Sequence, residues 1–209
     1  MAKEFTPLNF TIAECQKEAQ EFENFLKENG ELSEANQIRP FFGKRLMLSA
    51  MVGFLHSHMG LPDVIAFEYE LYGDYVCDLV VGDRKNNKYV FIEFEEAKKD
   101  SIFRKAGKKS TLEWSKCFEH GYSQIIDWFE IMSVNVNTDK TKAMFGHGKV
   151  DFVGVLVVGR ETYLDIREKQ RLAYRTGKTK VDSQGILCYT FDGLLDFISI
   201  RLSSYKLDI

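Results

Sequence analysis

Three consecutive strand-like runs, Val64 to Leu71, Tyr75 to Asp83 and Lys88 to Ala97, are rich in Val, Ile, Phe and Tyr and are separated only by short polar breaks. Connections that short join antiparallel neighbours, so the runs predict a three-strand meander. The second break, Arg84-Lys85-Asn86-Asn87, is a polar turn. Folding the flanking runs about it sets Asp78 opposite Glu93, and the period of two puts Glu95 on the same face as Glu93. Three carboxylates then converge on a partly apolar sheet. Like charges there repel and lose hydration, so protonation, solvation or a cation must relieve them. A divalent metal is the economical answer.

Helical patterns surround the meander. Thr11-Ile12-Ala13-Glu14 has the form of a capping box, and Phe22, Phe25 and Leu26 continue an amphipathic stripe that ends near Gly30. The apolar segment Arg45 to Leu55 reads as a second helix that stops around Gly60-Leu61-Pro62. Downstream, Trp114, Phe118, Tyr122, Ile125, Phe129 and Met132 recur at helical spacing and predict a long helix packed on the sheet. Asn135 to Gly148 reads as a polar loop, Val150 to Val158 as a buried strand, and Leu164 to Tyr174 as a charged surface helix. Ile186 to Thr190 is the last strand, and Asp192 is placed to cap a final helix. The expected class is α/β or α+β, a mixed β-sheet flanked by helices. Residues 1–60 form a helical lead on a core at 61–209, within one compact domain.

Composition narrows the setting. The chain has 209 residues, 44% of them hydrophobic and 28% charged, within the range of one folded domain. Its net charge of −3 does not mark a nucleic-acid binder as a whole, although local fields still matter. Cys15, Cys77, Cys117 and Cys188 lack paired spacing, which favours reduced thiols and a cytoplasmic location. No signal-peptide pattern or membrane-spanning apolar run is present in the sequence, and no membrane association is expected.

The carboxylates suit metal-assisted phosphodiester hydrolysis, with Asp78 and Glu93 as metal ligands and Mg2+ or Mn2+ as the ion. They also suit a solvent-facing acidic stripe extended by Glu68 and Glu70. Lys98, Lys99, Arg104, Lys105, Lys108 and Lys109 form a basic cluster just after Glu95, consistent with phosphate contacts or with a solvated loop. Gln124, one residue off the apolar stripe, is positioned to reach the carboxylates. His56, His58, His120 and His147 show no paired ligand spacing and read as structural or exposed.

The pattern Asp78-x14-Glu93-x-Glu95 resembles the active-site motif of the PD-(D/E)XK nuclease superfamily, with Glu95 where most members carry lysine. Four ordered stretches narrow the likeness: Phe91 to Glu95, Tyr122 to Trp128, Val157 to Arg160 and Tyr189 to Leu195. Together they resemble the Shedu anti-phage defence proteins over roughly residues 60 to 200. The resemblance implies a restriction-endonuclease-like core and a cytoplasmic, homo-oligomeric, metal-dependent DNA endonuclease directed at phage or plasmid DNA. Its expected site residues are Asp78, Glu93, Glu95 and Gln124, with Lys98 assisting. The substitution at Glu95 leaves a second reading, a catalytically impaired nuclease-fold module that binds nucleic acid or a partner protein in a regulatory role.

Overall fold

A computed structural model describes residues 4–108 and 110–205; Lys109, one of the expected DNA contacts, lies outside the described residues. In chain order the elements are β1 (Thr6–Pro7), α1 (Ile12–Glu28), α2 (Arg39–Gly43), α3 (Leu46–Met51), β2 (Val64–Leu71), β3 (Tyr75–Asp83), β4 (Lys88–Phe94), β5 (Phe103–Arg104) and β6 (Glu113–Trp114). They continue with α4 (Lys116–Val134), α5 (Asp139–Phe145), β7 (Asp151–Val157), α6 (Ile166–Lys178), β8 (Lys180–Val181), β9 (Gln184–Tyr189) and α7 (Phe191–Ser204). A π-helical turn, Glu34–Ile38, leads into α2, and a 3-10 turn, Val52–Leu55, follows α3.

Seven strands form one mixed sheet in the order β1-β2-β3-β4-β7-β9-β8, and β5 pairs with β6 separately. The meander is present: β2, β3 and β4 are antiparallel, with Val81 opposite Val90 and Asp83 opposite Lys88 across the 84–87 turn. β4–β7 and β7–β9 run parallel, so the fold is α/β with a mixed sheet between helices. One face buries Leu79, Val81, Val90 and Ile92 beneath α1, α3 and α7; the other buries Val80, Tyr89 and Phe91 beneath α4 and α5. No helix among the described residues is long and apolar enough to cross a membrane.

Several sequence expectations need correction. Thr11 does precede α1, but its N–H donates to Met47 Sδ at 3.4 Å and its side chain makes no capping bond, so the capping box is absent. The helix expected over Arg45 to Leu55 is α3 plus the 3-10 turn. The polar stretch 135–148 contains α5, capped by Thr138, whose side chain accepts from the Thr141 N–H, and closed by Gly146 at φ 82°. Thr190, not Asp192, caps α7: the helix starts at Phe191, one residue before Asp192, and the Thr190 side chain accepts from the Gly193 N–H, while Asp192 accepts from Arg160.

Close helix–sheet contact sets the height of α4 above the strands. A Cβ added at Gly154 on β7 would stand 2.3 Å from Ile125 Cγ2 and 3.0 Å from Phe129 Cε1, both on α4. Ile125 is fully buried and β-branched, so it cannot swing away. Gly154→Ala is expected to destabilise the fold by about 1–3 kcal/mol through overpacking, measured by chemical denaturation. An unchanged midpoint would show that α4 lifts without cost.

Candidate active site

The pleat that carries the carboxylates is interrupted at one step. On β2, Ile65 and Phe67 face the α1 side while Tyr69 and Leu71 face the α4 side, so the alternation breaks at Glu68. Glu68 has φ +48°, a left-handed conformation that is strained for this side chain. β3 breaks phase at the matching place, with Cys77 on the α4 side and Leu79 on the α1 side. The β3–β4 register accordingly ends at Leu79–Ile92. Asp78 is therefore not a regular ladder partner of Glu93, as the simple hairpin predicts. Its carboxylate instead takes the Phe94 N–H at 2.9 Å, standing in for a backbone acceptor as the strands part.

Three acids nonetheless share this end of the sheet, and all are buried: Asp78 at 8%, Glu93 at 7% and Glu95 at 6% exposure. That burial disposes of the solvent-facing stripe for Glu93 and Glu95. Glu95 lies just past β4, yet its N–H still bonds the Val157 carbonyl at 2.9 Å, which keeps it in phase with Glu93. Both reach α4. Gln124 Nε2 donates to Glu93, His120 Nδ1 lies 2.7 Å from Glu95 Oε1, and the Cys117 thiol donates to Glu95 Oε2 at 3.3 Å. Gly121 makes room, since a Cβ there would come within 2.6 Å of Leu156 Cδ1 and 2.9 Å of Glu95 Cγ.

Burial pushes the Glu93 carboxyl up to about 10, with the carboxylates of Asp78, Glu95 and Glu34 adding to the rise. Asp78 is raised by burial too, a rise opposed by the Phe94 N–H and the Arg39 guanidinium. Glu34, in the turn before α2, is raised by burial and then by Asp78 and Glu95, so a fourth acid feels the same field. Arg39 is the counterweight: it lies 3.4 Å from Asp78, 3.4 Å from Glu34 and 3.8 Å from Glu68. A pocket of about 270 Å³ opens here, lined by Arg39, Pro40, Phe67, Glu68, Asp78 and Phe94. Among the described residues no group of three or more His, Cys, Asp or Glu side chains is arranged to hold a metal ion.

Of the basic cluster, Lys98 bonds Glu96 rather than any of the three buried acids. Lys99, Arg104, Lys105 and Lys108 are exposed on the segment that holds β5. Sequence reading missed Arg39, Cys117 and His120. Cys117, His120 and Gln124 recur at spacings of three and four along α4, a polar stripe beside the apolar one that would have pointed to both. His120 is solvent-exposed, as expected, but joins the site. Nothing local marks Arg39, whose partners lie far along the chain.

Two of the four ordered stretches also meet through side chains. Arg160, from the loop after β7, donates Nε to Asp192 Oδ1 and Oδ2 at 3.1 and 3.0 Å and Nη1 to the Asn29 carbonyl at 2.7 Å. A search of curated proteins found no match. The family described as Shedu protein SduA, C-terminal, matches residues 16–195, starting well before the residue-60 limit of the resemblance read from the motifs. That span runs from within α1 to the first turn of α7 and takes in the acids, α4 and the Arg160–Asp192 link, and the chain belongs to this Shedu family.

Proposed function

We propose that this chain is a divalent-metal-dependent DNA endonuclease of the Shedu type, with a restriction-endonuclease-like core, acting in bacterial defence against phage or plasmid DNA. Family membership supports the defence role. The observation that carries the chemistry is the burial of Asp78, Glu93 and Glu95 together at one end of the sheet. Burial raises the Glu93 carboxyl to about 10 and raises that of Asp78 as well, so this pair gains by facing a divalent cation in place of a proton or of Arg39. Asp78 and Glu93 are the assigned ligands of Mg2+ or Mn2+.

When bound, the ion supplies Lewis-acid polarisation of a phosphodiester and a lowered pKa for the attacking water. The chain's own groups position and exchange protons. Gln124 donates to Glu93 and fixes its rotamer. Glu95, held by His120 and Cys117, accepts the water proton in the place where most superfamily members carry lysine. Lys99, Arg104, Lys105, Lys108 and Lys109 take the phosphate backbone, and Lys98, drawn to Glu96, assists from the edge.

The test incubates the purified protein with linear, nicked and single-stranded DNA in Mg2+ or Mn2+. Wild type is expected to cleave, while EDTA, Asp78→Ala and Glu93→Ala each abolish cleavage. Equal cleavage by wild type and both variants discards the proposal. Two observations favour a second reading: Arg39 already neutralises Asp78, and Glu95 stands where most superfamily members carry lysine. A nuclease-fold module that binds nucleic acid or a partner without turnover accommodates both. Metal-dependent cleavage that requires Glu93 eliminates it.

A further inference from the structure

The N-terminal half of α4 looks two ways. His120 turns to Glu95, whereas Glu119 turns to α6 and accepts two bonds from Arg175, at 2.6 and 2.8 Å. Beyond that pair lies a groove of about 710 Å³, lined by Trp114, Arg167, Gln170, Arg171, Tyr174 and Arg175 together with one threonine. Three arginines and no acid line it, in a chain whose net charge is −3. Arg175 is compensated by Glu119, so the positive charge that the groove presents is that of Arg167 and Arg171.

Aromatic rings hold two of those arginines in place. Arg175 lies over Trp114, Phe118 and Tyr122 at 4.7, 5.0 and 4.2 Å, and Arg171 over Phe103 and Trp114 at 4.5 and 5.4 Å. Arg171 also donates to the Leu112 carbonyl at 2.7 Å. The cationic floor is therefore ordered in advance, which lowers the entropy lost on binding. On the rim, Arg167 and Gln170 are exposed, and Tyr174 is 70% exposed.

Ordered guanidinium groups beside an open aromatic ring match one ligand chemistry, phosphates at regular spacing joined to unpaired bases with free faces. A duplex offers the phosphates but keeps its base faces inside its own stack. We propose that the α6 groove binds single-stranded DNA, with the phosphates on Arg167 and Arg171 and a base stacked on Tyr174. This rests on the nucleic-acid reading above and names the form of substrate engaged beside that site.

The experiment measures fluorescence anisotropy of labelled oligothymidylate with the whole chain in EDTA, so neither metal nor turnover enters. Failure to cleave leaves this measurement intact, and failure here leaves the Asp78 and Glu93 test intact. The single strand is expected to bind more tightly than a duplex of equal length. Tyr174→Ala weakens binding by about 5- to 100-fold, and Tyr174→Phe retains it. Arg167→Gln lowers the slope of log affinity against log salt by about 0.7. Both positions are exposed, so the unfolding midpoint stays constant. The proposal is overturned by unchanged binding in Tyr174→Ala, by preference for duplex or for oligouridylate, or by a Tyr174→Ala protein that dissociates an oligomer while still binding oligothymidylate.

Discussion

Glu93→Gln is expected to abolish metal-dependent cleavage and, in the same protein, to raise the stability of the metal-free fold as pH increases. On the proposed reading Glu93 is a metal ligand, and its loss forfeits several kcal/mol of transition-state stabilisation, so activity falls by about 10³-fold or more. Stability moves the other way because the native carboxyl is raised from 4.5 to about 10. Between those values the folded protein holds a proton that the unfolded chain has released, so wild-type stability is full below pH 4.5 and declines as pH rises towards 10. Glutamine does not titrate and keeps the contact with Gln124. The stability gap between variant and wild type should widen by about 3 kcal/mol from pH 4.5 to 7. Urea denaturation in EDTA across that range provides the check, and a gap constant with pH would rule out Glu93 as the buried neutral acid.

Arg160→Ala carries the largest expected structural cost. The guanidinium is 7% exposed and ties the loop after β7 to the first turn of α7 and to the chain leaving α1. Its removal strands the Asn29 carbonyl and the Asp192 carboxylate, of which Asp192 keeps only the Glu161 N–H at 2.7 Å among its observed partners. Breaking a buried pair from one side costs about 3–5 kcal/mol, and partial exposure of Asp192 places this case at about 3 kcal/mol. For a chain of this size that lowers the unfolding midpoint by roughly 6–12 °C. Arg160→Lys keeps the charge but loses the fork and should recover less than half. Calorimetry of the three proteins measures it, and equal midpoints would show the link to be incidental.

The meander was legible because strand composition and turn chemistry are local: the bounds of β2 and β3 and the 84–87 turn follow from runs of Val, Ile, Phe and Tyr and the polar breaks between them. Gln124 was legible for the same reason, one step off a clear helical stripe. The pleat break was not. It depends on Glu68 adopting positive φ, which the surrounding strand imposes against the preference of the residue. Asp192 illustrates a different loss: the helix starts two residues earlier than a cap at Asp192 requires, with Thr190 as its cap, and the pairing of Asp192 with Arg160, 32 positions away, has no local signal. α5 was missed because its signals, Thr138 and Gly146, sit in a polar segment with little apolar periodicity. Arg39 could be found only once the turn before α2 had been brought against β3.

Arg39 has a consequence for affinity. With its guanidinium beside Asp78, the acidic pocket already contains a tethered cation whose effective concentration is fixed by the fold. On the proposed reading, entry of Mg2+ or Mn2+ is an exchange in which Arg39 is released to solvent or to substrate phosphate, not a simple capture. The ion's apparent dissociation constant then contains the free energy of detaching Arg39. DNA, by offering that arginine a new phosphate partner, would tighten metal binding, and metal would tighten DNA binding by the same factor.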